Sequence, residues 1–101
     1  MKPNIETMLD AVIDEQSLLL FIAALSADWE DERQRALVSP NRAFSAGANG
    51  WENGTVGAYL DAAASWGQAS INGLPKLANY KKPENPWQRV AQILYMGKIY
   101  E

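Results

Sequence analysis

The chain has 101 residues, 48% of them apolar, and a net charge of −3, the size and composition of one globular domain. It contains neither cysteine nor histidine. That excludes disulfides, thiol nucleophiles, the common structural zinc sites, and any catalysis built on Ser-His-Asp or Cys-His.

The opening residues, Met1-Lys2-Pro3-Asn4-Ile5-Glu6, lack the basic-then-apolar pattern of an export signal. Asn4 can cap a short helix running to Asp10. A stronger start follows at Asp14, where Glu15, Gln16 and Ser17 lead into Leu18, Phe21, Ile22, Leu25 and Trp29 on one 3.6-residue face. Leu19, Leu20, Ala23 and Ala24 widen that face until little of the turn is polar, which predicts a central, buried helix. Its apolar run, Leu18 to Leu25, is too short to span a bilayer, so no membrane segment is expected, and without cysteine or an export signal the expected location is the cytoplasm. The helix continues, straight or bent, through a polar stretch to a stop before Pro40.

Residues 39–54 are rich in Gly, Asn and Ser and read as a loop, with Phe44 and Trp51 pinning it to the core. The next helix starts at Asn53 or Thr55. Val56, Tyr59, Leu60, Ala63 and Trp66 or Gly67 form its inner face, Trp51 folds back on its first turn, and Gly67 and Gly73 point to fraying or a stop between them. Residues 72–84 form a second connector from which Leu74, Leu77 and Tyr80 can reach the core. The last helix has the best start signal of the chain: Asn85 as cap, Pro86 in the first position and Gln88 completing a capping box. Trp87, Val90, Ala91, Leu94 and Lys98 make its apolar stripe, and Gly97 is a candidate stop. No strand alternation and no internal repeat is visible.

Charge is unevenly spread. Residues 1–32 carry eight acids against one lysine, and residues 33–101 carry eight bases against four acids. The bases are dispersed and the acidic part repels phosphate, so nucleic acid is not an expected partner. The densest acidic cluster, Asp28-Trp29-Glu30-Asp31-Glu32, has three readings: a solvated helix face in which Arg33 and Arg35 pair with Glu30 and Glu32, a patch for a basic partner beside an exposed indole, or an oxygen-ligand cation site. The solvated face is the ordinary outcome, and the partner patch is the functional alternative.

Other features have equally plain readings. The Gly47–Gly57 stretch before a helix resembles an anion cradle, but without a phosphate-loop ending it reads as a loop. Asn53-Gly54-Thr55 matches a glycosylation acceptor and more simply holds a helix cap. The four tryptophans are a core or, less commonly, a ligand cage. The two apolar residues of Lys98-Ile99-Tyr100-Glu101 imply docking on the core or, alternatively, a tail for a partner. An enzyme would have to work with carboxylate, lysine, tyrosine or serine alone, and a small helical chain rarely forms the deep cleft this needs.

Several blocks occur in an order that resembles a small bacterial family, domain of unknown function 7660. They are Asp14-Glu15, Ser17, Leu18 and Phe21; Trp51-Glu52-Asn53 with Thr55, Leu60 and Trp66; and Pro86-Trp87, Ala91, Ile93-Leu94 and the closing Lys98-Ile99-Tyr100-Glu101. The match covers most of the chain, although the middle loop, residues 39–50, is longer than the pattern. The resemblance implies a helical fold and no activity.

The expected architecture is therefore all-α: a compact bundle of three to five helices, with two longer connecting loops, around the Leu18–Trp29 helix. The expected function is non-enzymatic protein binding without a cofactor or metal. Its most concrete form is an immunity or antitoxin-like protein that masks a basic, toxin-like partner through Asp28, Trp29, Glu30, Asp31 and Glu32. The alternative is a structural or regulatory domain that self-associates as a homodimer through an aromatic face, and the third reading is ligand binding by the indoles.

Overall fold

The computed structural model describes residues 4–38, 49–71 and 80–100. Four helices follow one another: α1 (Ile5–Asp10), α2 (Glu15–Val38), α3 (Val56–Ala69) and α4 (Pro86–Ile99). No strand occurs among the described residues. The all-α bundle with two longer connections is therefore the fold. The contacts expected from Phe44, Leu74 and Leu77, and the roles of Gly47 and Gly73, fall outside the described residues.

The helix starts follow local chemistry. Asn4 Oδ1 accepts from the backbone N–H groups of Glu6 and Thr7 at 2.8 and 3.3 Å. Asp14 and Ser17 form a reciprocal box: Asp14 Oδ1 accepts from Ser17 N at 2.8 Å, and Ser17 Oγ accepts from Asp14 N at 3.0 Å. The bonds donated to the Asp14 carboxylate by Ser17 N and, at 2.7 Å, by Ser17 Oγ hold that carboxyl below the usual carboxylate range. Thr55, one of the two expected caps, starts α3 by accepting from Ala58 N. Asn85 caps α4 as expected, accepting from Trp87 N and Gln88 N behind Pro86.

The centre of the bundle is α4, not α2, which corrects the expectation of a buried Leu18–Trp29 helix. Helices α1, α2 and α3 all pack against α4, whereas α2 and α3 do not pack against each other among the described residues. Among the described side chains of α2 only Leu18, Phe21 and Leu25 are buried, while Leu19 and Leu20 are each 58% exposed. An all-round apolar helix can be buried on every side only if neighbours surround it, and among the described residues α2 packs against α1 and α4 alone. Around Phe21 the core is completed by Val12, Trp51 and Ala91, with Met8 of α1 and Tyr59 of α3 packed against it.

The helices run in definite directions. At one end of the α2–α4 pair Asn85 Nδ2 donates to Ile13 O, and at the other Lys98 reaches Asp28, so the two helices are parallel. Helix α3 runs antiparallel to α4: Tyr59 OH donates to Leu94 O, while Arg89 Nη2 donates to Gly67 O near the opposite end.

Gly97 does not stop α4, which continues to Ile99. It is instead a point of close approach between α3 and α4. A Cβ added there would lie 2.8 Å from Tyr59 Cε1, 3.0 Å from Tyr59 O and 3.1 Å from Ala63 Cβ. Alanine gains about 1 kcal/mol of helix propensity over glycine. The overpacking, typically about 1–3 kcal/mol, includes a backbone carbonyl that cannot turn away. Gly97→Ala is expected to destabilise the fold by about 1 kcal/mol net, measured as a lower urea midpoint. Helix α3 does end at Ala69, between Gly67 and Gly73 as expected, and the open side of Gly67 lies against Ile93.

Tyr95 ties α4 to α1, its OH donating to Glu6 Oε1 at 3.0 Å. Burial, then this bond and the Glu6 charge, push the Tyr95 phenol up to about 12 from its ordinary 10.0. Burial pushes Tyr59 in the same direction. Both phenols are thus held protonated by the fold. Their contribution is complete below pH about 10 and is lost as the pH rises through the folded-state value. Tyr95→Phe should flatten the loss of stability between pH 10 and about 12, read from denaturation midpoints across that window.

Candidate functional site

The acidic cluster of α2 is divided by the helix into an inward and an outward group. Asp28, Asp31 and Glu32 are half-buried and face the segment that leads into α3, whereas Glu30 is exposed. Glu32 Oε1 accepts from the backbone N–H groups of both Asn49 and Trp51 at 3.1 Å. Gly50 lies between them with φ 79°, a conformation that glycine adopts without a Cβ clash and that lets both N–H groups reach one oxygen. Asn49 Nδ2 donates to Asp28 O and to Asp31 Oδ2. Asp31 also pairs with Arg35 at 3.0 Å, in place of the expected Glu32–Arg35 pair.

Asp28 is the hub of this group. Its Oδ2 accepts from Trp51 Nε1 at 2.8 Å and lies 2.8 Å from Lys98 Nζ. Lys98 is buried, and its ammonium also lies 5.4 Å from the centroid of the Trp51 ring. One carboxylate thus joins α2, the α2–α3 connection and the last turn of α4. The reading of a solvated face is corrected for Asp28, Asp31 and Glu32, because the chain folds back over them. It holds for Glu30. Among the described residues no group of three acidic side chains is placed to hold a metal ion.

The same segment secures the end of α4. Asn53 does not cap α3; its Nδ2 donates to Gly97 O and Tyr100 O at 3.1 and 2.8 Å. The backbone N–H of Glu52 donates to Lys98 O at 3.0 Å. The final turn is therefore docked on the core, as its apolar residues suggested. Trp51 folds back toward the first turn of α3, its ring centroid 5.9 Å from that of Tyr59.

These bonds hold open a groove. Because α2 and α3 touch α4 but not each other, a trough of about 440 Å³ is left between them. Ile22 and Trp29 of α2 form one wall, Val56 and Leu60 of α3 the other, and Leu94 of α4 lies at the floor, with Trp51 and Tyr59 at one end. The lining is almost wholly apolar. Trp29 Nε1 donates to Gly54 O at 3.2 Å, and Arg33 lies 5.2 Å from the Trp29 ring, so the indole is fixed in the wall. Of the five residues expected to meet a partner, Trp29 lines the groove, Glu30 is exposed on the same helix, and Asp28, Asp31 and Glu32 build its support.

Sequence reasoning missed Ile22, Val56, Leu60 and Leu94 as site residues, since it assigned each to an inner face. It also missed Lys98 as a partner of Asp28. The signal for Lys98 was present, because a lysine four residues after Leu94 on an apolar stripe needs a buried counter-charge.

Among the described residues no helix is long and apolar enough to cross a membrane. No curated protein and no solved structure matches the chain. The model of a family of unknown function, DUF7660, matches residues 14–101, which contain the Asp14–Ser17 box, the Asp28–Lys98 pair and both walls of the groove. The chain belongs to the DUF7660 family of unknown function.

Proposed function

We propose that the protein is a non-enzymatic, cytoplasmic protein-binding domain whose partner docks on the α2–α3 groove. The observation that carries this reading is that Val56, Leu60 and Ile22, respectively 77%, 58% and 40% exposed, converge on one apolar groove whose polar neighbours are already satisfied within the chain. Exposed apolar side chains scattered singly are ordinary, whereas a contiguous, rigidly framed set marks an interaction surface. The carboxylates of Asp28, Asp31 and Glu32 are engaged in holding the frame, which supports binding over catalysis. An immunity or antitoxin-like protein that masks a basic, toxin-like protein is the most concrete form of this reading, supported by the net charge of −3.

The test is affinity capture with purified protein against Leu60→Glu in the cells that express it. Leu60 is largely exposed, so this variant should keep its helical circular dichroism spectrum. Loss of one specific captured protein by Leu60→Glu, with retention by the surface control Gln34→Ala, is the expected result. Equal capture by all three forms removes the groove from the interface. Self-association is the second reading, favoured by the exposure of Leu19 and Leu20 on α2. Sedimentation across a wide concentration range tests it, and a mass that stays monomeric rejects it.

A further inference from the structure

We infer that the groove is a binding site for one uncharged, apolar small molecule, taken up between Trp29, Trp51 and Tyr59. This goes beyond the reading of the groove as a protein-docking face and does not depend on it. A bound molecule and a docked partner would compete for the same side chains.

Size and lining carry the inference. The groove holds about 440 Å³, inside the range of about 300–1,000 Å³ found for small-molecule sites. Such sites are mostly apolar and aromatic, with few polar groups. Here three aromatic side chains are joined by Ile22, Leu60 and Leu94. Among the described residues no charged side chain lines the groove, and Asn53 and Thr55 are its only polar side chains besides the aromatic ones.

The polar groups of the lining are engaged within the chain. Trp29 Nε1 donates to Gly54 O at 3.2 Å, Trp51 Nε1 to Asp28 Oδ2 at 2.8 Å, and Tyr59 OH to Leu94 O at 2.7 Å. Asn53 Nδ2 donates to Gly97 O and Tyr100 O, and Thr55 Oγ1 accepts from Ala58 N. An occupant therefore meets chiefly aromatic and aliphatic carbon. A charged or strongly hydrogen-bonding molecule would give up its hydration there without a partner in return. Arg33, whose guanidinium lies 5.2 Å from the Trp29 ring centroid, is exposed and is not part of the lining.

The fold holds the groove open. Asp28 and Lys98 tie α2 to α4, and the Tyr59 hydroxyl and the close contact at Gly97 tie α3 to α4. The bond from Trp29 to Gly54 fixes the indole of one wall to the segment that leads into the other. Helices α2 and α3 do not pack against each other. The apolar lining thus stays in contact with water until something fills it, and filling releases that water. A site already formed does not have to be ordered on binding.

The test uses the full chain, isotope-labelled for nuclear magnetic resonance, and naphthalene carrying a hydroxymethyl, a carboxylate or an aminomethyl group. The indole N–H signals are separate reporters: Trp29 and Trp51 line the groove, whereas Trp66 and Trp87 do not. The hydroxymethyl compound should shift Trp29 and Trp51 saturably, with a Kd below about 1 mM, and leave Trp66 and Trp87 in place. It should bind about tenfold or more tightly than the carboxylate and ammonium compounds. Leu60→Glu should weaken it by about tenfold or more and keep the helical circular dichroism spectrum. Leu19 is as exposed as Leu60, at 58%, but lies outside the lining, so Leu19→Glu should leave binding unchanged. If Leu60→Glu loses its helical spectrum, Val56→Glu, on the same wall and 77% exposed, takes its place.

Absence of any shift up to the solubility of the hydroxymethyl compound overturns the site. Equal binding of the three compounds, or a preference for the carboxylate, overturns the uncharged class of ligand. Shifts of all four indoles, or equal losses in Leu60→Glu and Leu19→Glu, mark adhesion to exposed apolar surface and overturn the site as well. Leu60-dependent capture of a protein, with no compound bound, removes the ligand and keeps the docking face.

Discussion

Asp28→Ala is expected to destabilise the protein by about 3–5 kcal/mol, the range for removing one partner of a buried ion pair. The side chain of Asp28 is 19% exposed and that of Lys98 is 8% exposed, so water screens the pair little. Removing the carboxylate leaves the Lys98 ammonium among Trp51 and the last turn of α4 without its counter-charge. It also leaves Trp51 Nε1 without its acceptor. Asp28→Asn keeps an acceptor for the indole and should be milder. Combining Asp28→Asn with Lys98→Met should recover stability relative to Asp28→Asn alone, because no charge is then left buried. Glu30→Ala, two residues away in the same acidic run, should change stability by no more than about 0.5 kcal/mol. Urea denaturation of the four proteins measures all of this. If Asp28→Ala and Glu30→Ala are equally mild, Asp28 does not hold the helices together, and the groove it supports loses its rigid frame.

The second large effect separates two tryptophans that look alike in sequence. Trp66→Ala should destabilise by about 3–5 kcal/mol, as for other buried large aromatics. Trp66 is 5% exposed, stands edge-on to Tyr80 at 5.4 Å between ring centroids, and carries the Arg89 guanidinium 5.1 Å from its own centroid. Arg89 Nη1 also donates to Ser70 Oγ and Tyr80 OH, so loss of the ring removes one side of a hydrogen-bonded cluster that joins α3 to α4. Trp87→Ala should stay below about 2 kcal/mol, because its indole is 38% exposed and leaves only a partial cavity. Both were expected to be buried in the core. Trp87 instead stands in the first turn of α4, partly exposed. A full-sized loss at Trp87 would mean that its indole is covered in solution.

The elements themselves were readable because their determinants are local. Asn4, Asp14 with Ser17, Thr55 and Asn85 each satisfy N–H groups two or three residues ahead, so the start of every helix is written beside it. The docking of the last turn was also legible, since the apolar Ile99 and Tyr100 suggested it, beside the alternative of a tail for a partner. The candidate site was legible in part. Trp29 and Glu30 stood out as an indole beside acids. The walls of the groove did not stand out, because Ile22, Val56 and Leu60 have the same pattern as residues that face a core.

The sequence by itself determined the helical class, the four starts and the exclusion of histidine and cysteine chemistry. Tertiary structure alone decided which apolar face is covered, which carboxylates turn inward, and which helix is central. Leu18 and Leu19 are chemically identical, and only the position of α4 makes one buried and the other 58% exposed. Asp28 and Glu30 differ in fate because Lys98, 70 residues further along the chain, arrives beside one of them. Gly97 reads as a helix stop until Tyr59 of α3 is found against it. Capping energies act within one turn, whereas burial and charge pairing depend on which distant surface is brought close, and in this protein that surface is α4.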